Sequence, residues 1–248
     1  LVRLEPGERI DTLTTDGLQI IQAEDQFRYT IDAVLLSWFA TVQRGDTILD
    51  LGTGTGIIPL LMIQRQPDLS FTALELNEQV AERAQRSIRL NKLQERIEVV
   101  NADLRSWKPG RHYNLVVANP PYRPLGQGKL SATKKIGMAR HELTCTLEDV
   151  IKAAARALGT RGRLAMVYRP ERLAELMVLL VQYRFQVKRL WFVHGKESRI
   201  ATQVLLEAYK DGGPGLKVLP PLFIYDEQGH YTSAMLAIYK DLRSVGLE

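Results

Sequence analysis

Apolar positions along the chain alternate between short buried runs and longer amphipathic stretches. Thr47–Leu51 is a compact run that reads as a strand, and the spacing after it predicts a helix over 57–66, stopped by Pro67. A second strand is expected over 71–76. Asn77 then caps a helix in which Val80, Ala84 and Ile88 recur at i, i+4, i+8. Further strands are expected at 97–100 and 113–118, followed by a helix over 147–158 and a strand over 163–168. Pro170 takes the first turn of a helix with Leu173, Leu176, Met177 and Leu180 inward. Residues 186–193 and 203–209 read as closing strands. Ahead of this series, 10–13 and 18–21 flank Thr15-Asp16-Gly17, a hairpin signal. A helix over 32–42 should follow, with Val34, Leu35, Trp38 and Phe39 on one face.

Strands alternating with helices predict an α/β fold, a mostly parallel sheet covered on both faces. Such sheets bind ligands beyond the carboxyl ends of their strands. The expected organisation is a single structural unit over 46–248, with the hairpin and helix of 1–45 packed against it. No repeat, low-complexity run or long linker divides it.

Composition narrows the function. At 248 residues, 45% hydrophobic and 25% charged, the chain is an ordinary folded protein, with no run of about 20 apolar residues to span a bilayer. Its first residues lack the apolar core of a signal peptide, and the lone Cys145 suits a reducing compartment, so a cytoplasmic protein is expected. Four scattered histidines offer no metal cluster, and no metal is expected. The net charge of +5 favours an anionic partner. Arg123, Lys129, Lys134, Lys135 and Arg140 lie in a stretch without a single acid. By charge alone this is equally a solvated loop; its position directly after residues 119–122 favours a polyanion-facing lip.

Two strings at strand ends carry the chemistry. Ile48-Leu49-Asp50-Leu51-Gly52-Thr53-Gly54-Thr55-Gly56 closes the first core strand with an acid and three spaced glycines, and Asn119-Pro120-Pro121-Tyr122 follows the run ending at Ala118. The glycines are spaced G-x-G-x-G, with Ile57 where a dinucleotide fingerprint has its last glycine, and no Gly-Lys-Ser/Thr of a P-loop is present after them. Taken singly, Glu75 is a helix-entry acid, Asp103 a turn acid, and Pro120-Pro121 a loop. Together the strings resemble the class I, Rossmann-like S-adenosylmethionine (SAM) methyltransferases that modify amino or amide nitrogens. That resemblance implies a seven-stranded, mostly parallel sheet with helices on both faces. It also implies SAM as methyl donor and S-adenosyl-L-homocysteine as product. Asp50, Leu51, Gly52, Thr53, Gly54 and Gly56 would shape the cofactor site, Glu75 and Leu76 would meet the ribose and its surroundings, and Asp103 and Leu104 the adenine. Asn119 would serve both cofactor and substrate. The side-chain oxygen of Asn119 and the carbonyl of Pro120 would accept the hydrogens of a delocalised amino group, and Tyr122 would stack on its ring.

Outside these strings, 27–36, Ala139-Arg140-His141-Glu142, 168–173 and 225–232 resemble the bacterial tRNA(Val) adenine-N6 methyltransferase family. Membership implies an RNA substrate, an anticodon-loop adenine of a valine tRNA; the basic residues of 123–140 would then touch RNA, and His141 would either touch RNA or cap the following helix. Two alternatives keep the catalysis and change the acceptor, to a ribosomal RNA base or a protein glutamine. The short stretch before Asp50 leaves no room for the helical domain of the glutamine enzymes. A third alternative, an inactive RNA-binding relative, is opposed by the intact motif residues.

Overall fold

The computed structural model describes residues 2–23, 30–120 and 145–242. A hairpin of β1 (Glu8–Thr12) and β2 (Gln19–Ala23) opens the chain and is followed by α1 (Ile31–Phe39). The core then runs β3 (Thr47–Leu51), α2 (Ile57–Arg65), β4 (Ser70–Glu75), α3 (Glu78–Leu90), β5 (Ile97–Asn101) and β6 (Tyr113–Ala118). After residue 145 come α4 (Leu147–Ala157), β7 (Leu158–Tyr168), α5 (Leu173–Gln182), β8 (Phe185–His194) and β9 (Ala201–Lys210). Two two-residue strands, β10 (Lys217–Val218) and β11 (Leu222–Phe223), and helix α6 (Ser233–Asp241) complete it.

The seven long strands of the sheet lie in the order β8-β9-β7-β6-β3-β4-β5, and only β9 runs against its neighbours. β10 and β11 extend the edge along β8. Strand side chains alternate between two cores. Ile48, Phe71, Leu115 and Val117 face α1, α2 and α6, whereas Leu49, Leu74, Val116 and Leu164 face α4 and α5. Burial on both faces explains why these strands read as continuous apolar runs rather than alternating ones.

The expected elements are in place apart from shifts at their ends; α1, for one, stops at Phe39 rather than 42. β7 begins at Leu158 rather than 163 because its register against β6 slips between Tyr113 and Leu115, leaving a bulge that Arg161 enters at φ 64. Pro170 starts a 3₁₀ turn over Pro170–Arg172, and the α-helix proper begins only at Leu173. β10, β11 and α6 are additions to the expected elements. The sequence does carry a signal for α6: Thr232 accepts from the Met235 amide as an N-cap, ahead of buried Met235, Ile238 and Tyr239.

The hairpin is held to α3 by polar side chains. Ser87 accepts from the Ile21 amide at 3.0 Å, and Asn91 both accepts from the Gln19 amide (2.9 Å) and donates to its carbonyl (2.6 Å). Glu8 of β1 lies between Arg83 (2.7 Å) and Arg86 (2.5 Å), with all three side chains under a tenth exposed. The Arg86 hydrogen bond, joined by Arg83, holds the Glu8 carboxyl down at about 2 against the opposing pull of burial. Because the folded value is depressed, the ion pair stabilises the fold above the unfolded value of 4.5 and is lost as pH falls towards 2. Glu8→Gln should therefore cost about 1–3 kcal/mol at neutral pH. In paired denaturation curves the deficit should shrink steadily as pH is lowered from 4.5 to 2.

Candidate active site

Register brings the two motifs together. Leu51 of β3 pairs with Leu74 of β4 on one side and Ala118 of β6 on the other, and Glu75 pairs with Asn101 of β5. The glycine loop, Glu75, the 101–105 turn and Asn119-Pro120 thus gather at the carboxyl ends of four adjacent parallel strands. They surround one cleft of about 290 Å³, which Cys145 and Val150 also line.

The loop is fixed by its backbone. The amides of Gly52 (3.0 Å) and Thr53 (2.8 Å) both donate to the Leu74 carbonyl, and Gly56 donates to Thr53. Gly52, Gly54 and Gly56 have φ of 76, 57 and 85°. Gly56 is also the N-cap of α2, and a Cβ there would only touch Ala84 and Ile88 at 3.7 Å; the left-handed backbone, not space, calls for glycine.

Glu75 is aimed by the same loop. One carboxylate oxygen accepts from the Gly54 amide at 3.0 Å and the other from the Asn77 amide at 2.9 Å. Asn101 donates to the Glu75 and Leu76 carbonyls at 2.9 and 3.0 Å. Asn77 caps α3 through the Val80 amide, so the acid sits at a helix entrance with its orientation set from both sides. Next to it Leu76 is 41% exposed, an apolar side chain left open on the cleft wall.

Asp103 also faces the cleft, and Arg105 is paired with it at 2.5 Å. The Arg105 hydrogen bond holds the Asp103 carboxyl below its usual range. Leu104 completes this wall. Asn119 is half-buried and Pro120 buried, both lining the cleft.

Of the expected cofactor residues, Leu51, Gly52, Glu75, Leu76, Asp103, Leu104 and Asn119 line the cleft. Asp50 does not. It is 0% exposed beneath the loop, and its two oxygens and the Thr53 hydroxyl have no hydrogen-bond partner among the described residues. Burial pushes the Asp50 carboxyl up to about 7; the adjacent Thr53 hydroxyl partly offsets this, and the charge of Glu75 adds to it. Thr53, Gly54 and Gly56 shape the loop rather than line the cleft. Asn77, Val80, Ala102, Arg105, Cys145 and Val150 line it without having been singled out by the sequence motifs. Most belong to helices and turns that join the site only when the sheet is folded. Burial, with Asp149 adding, pushes the Cys145 thiol up to about 11, in keeping with a packed side chain rather than a nucleophile. Tyr122, Arg123, Lys129, Lys134, Lys135, Arg140 and His141 lie outside the described residues. Thr30 is the N-cap of α1 and makes no side-chain cap hydrogen bond.

Among the described residues no group of three or more His, Cys, Asp or Glu side chains is placed to hold a metal ion, and no helix is long and apolar enough to cross a membrane.

A glycine loop after the first core strand, an acid ending the second and an Asn-Pro after the fourth, on a sheet with one antiparallel strand inserted near its edge, define a class I methyltransferase. The chain belongs to the methyltransferase small domain family, which matches residues 30–187, and to the same family as the enzymes named tRNA1(Val) (adenine(37)-N6)-methyltransferase. It is 32% identical to the enzyme of that name from Tolumonas auensis over 176 residues, 71% of this chain and 73% of the relative. It is 27% identical to the one from Pedobacter heparinus over 223 residues, 90% and 94% of the two chains. Among solved structures it resembles Atu636 of Agrobacterium tumefaciens, described as a predicted O-methyltransferase, with a TM-score of 0.69 and 25% identity over 85% of this chain and 96% of that one.

Proposed function

We propose that this chain transfers a methyl group from SAM to the N6 amino group of an adenine in tRNA, adenine 37 beside the anticodon of a valine tRNA. The observation that carries the reading is the placement of Asn119-Pro120 and Glu75 in one cleft, on neighbouring strand ends. The names of the relatives supply the substrate.

The cleft fits the cofactor. A carboxylate already oriented by two backbone amides can accept from a ribose diol, and exposed Leu76 offers an apolar face to a flat ring. When bound, SAM supplies an electrophilic methyl group on a cationic sulfur. The protein's task is then to present the nitrogen. An exocyclic amine shares its lone pair with the ring, and two acceptors aimed at its hydrogens draw that pair back onto nitrogen. The Asn119 side-chain oxygen and the Pro120 carbonyl are those acceptors. Pro121 restricts the backbone of Pro120, so its carbonyl is held in place before substrate arrives. Tyr122 stacks on the base, and the basic residues of 123–140 with His141 take the RNA phosphates.

An oxygen acceptor is a poorer match. A hydroxyl needs a base to take its proton, whereas Asn119 and Pro120 offer neutral carbonyls. Glu75 already accepts two amides and Asp103 is paired with Arg105. An anticodon-loop adenine is partly unstacked already, so drawing it into the cleft costs about a few kcal/mol.

Labelled SAM and bulk tRNA test this. Label recovered as N6-methyladenosine after digestion to nucleosides supports the reading. Unlabelled tRNA, with label entering ribosomal RNA or a protein glutamine instead, would replace it.

A further inference from the structure

Helix α5 carries two apolar faces where the fold uses one. At about 100° per residue, Leu173, Leu176, Met177 and Leu180 share the side packed on the sheet, with Leu176 and Leu180 fully buried. On the opposite side stand Ala174, Val178 and Val181, all exposed, the two valines at 67% and 69%. Their spacing continues backwards to exposed Glu171, so 171, 174, 178 and 181 form a heptad seam.

Nothing local calls for valine at these places. It is a poorer helix former than the lysine or glutamate of a solvated face, and it gains no burial there. A single exposed apolar side chain is ordinary, but a narrow heptad seam opposite the core has the shape that accepts one further helix. Val218 of β10, 60% exposed, pairs with Leu190 of the core beneath α5 and adds an apolar side chain on the same side of the sheet.

The ends of the seam differ in charge. Glu171 stands at its start and Arg184 just past its end, 77% exposed although its Nε reaches Asp211 at 2.8 Å. Between them Arg172 is turned onto Glu175 (2.6 Å) and the Tyr168 hydroxyl (2.5 Å), so these two charges neutralise each other. A second copy laid antiparallel across a two-fold axis beside Val178 sets Val181 against Ala174 and Arg184 against Glu171, twice over. A parallel pairing would set Glu171 on Glu171 and Arg184 on Arg184.

We propose that this face of α5 is an interface between two copies of the chain, paired antiparallel through Ala174, Val178 and Val181 and closed at each end by Glu171 of one copy and Arg184 of the other. One helix pair buries less than the roughly 1,200 Å² of a standard interface, so the dimer exchanges with monomer at micromolar concentrations.

Sedimentation velocity of the full chain over about 1–100 µM measures this. The wild-type mass should rise from one chain towards two, with a Kd on the order of 10 µM. Val178→Glu should raise Kd at least about tenfold, because it brings two carboxylates together at the axis. Glu171→Arg and Arg184→Glu should each raise Kd about tenfold alone, since each sets like charges against one another at both ends. Mixed one to one, these two variants should form a heterodimer of nearly wild-type affinity, because both ends are then oppositely charged again. Recovery on mixing is a result that loss of fold cannot produce. All three positions are exposed, so the melting temperatures should stay close to wild type. A wild type that remains monomeric throughout overturns the proposal and leaves the seam to a helix of another protein. Dimers that persist in Val178→Glu, or charge variants that do not recover on mixing, overturn it as well.

Discussion

Replacing Asn119 by alanine should lower methyl transfer on the order of 10²–10³-fold, the loss typical of removing a preorganised polar contact to the reacting group. Single-turnover rates with saturating SAM and tRNA measure it. The substitution removes the side-chain acceptor and leaves the Pro120 carbonyl in place, so some activity persists. Because Asn119 sits just past Ala118, whose register with Leu51 is set by the sheet, the variant should fold normally. RNA affinity should change by no more than about threefold and cofactor affinity by no more than about tenfold, since each ligand keeps its other contacts when this one is lost. A rate unchanged in Asn119→Ala would remove the amine-orienting role from this residue.

Glu75→Ala should act on the other half of the reaction. Hydrogen bonds to a charged group contribute about 1.5–3 kcal/mol each, so losing the carboxylate should weaken cofactor binding about 100-fold. The same change strips the Gly54 and Asn77 amides of their acceptor, which loosens the glycine loop and the entrance to α3 together. Glu75→Gln retains one acceptor oxygen and should lose about tenfold. Titration of S-adenosyl-L-homocysteine separates the variants from wild type. RNA binding measured without cofactor should be unaffected in both, so equal losses for the two ligands would mean that Glu75 supports the fold rather than the cofactor.

The sheet is legible in the sequence because its signals are local. Thr47–Leu51 and Tyr113–Ala118 have the expected bounds, each being a short apolar run closed by loop chemistry. Asn77 reads as a cap because its side chain does accept the Val80 amide. Glu75 and Asn119 are legible because strand ends of a parallel sheet converge, so position along the chain predicts position in space. Contacts made across the fold are not legible. Nothing near Glu8 in the sequence points to Arg83 and Arg86, 75 and 78 residues away. Nor does the motif around Asp50 say that the acid lies under the loop. The strand buries its side chain completely, and the glycine backbone rather than the carboxylate meets the cleft. Arg105 has no local signal because a lone arginine in a turn is ordinary; its pairing with Asp103 gives it meaning.

The most direct test of adenine-37 methylation compares a valine tRNA transcript with the same transcript carrying guanine in place of adenine 37. Stoichiometric label is predicted in the first, recovered as N6-methyladenosine, and none in the second. Equal labelling of both transcripts, or label recovered in a nucleoside other than N6-methyladenosine, would contradict the proposed reaction.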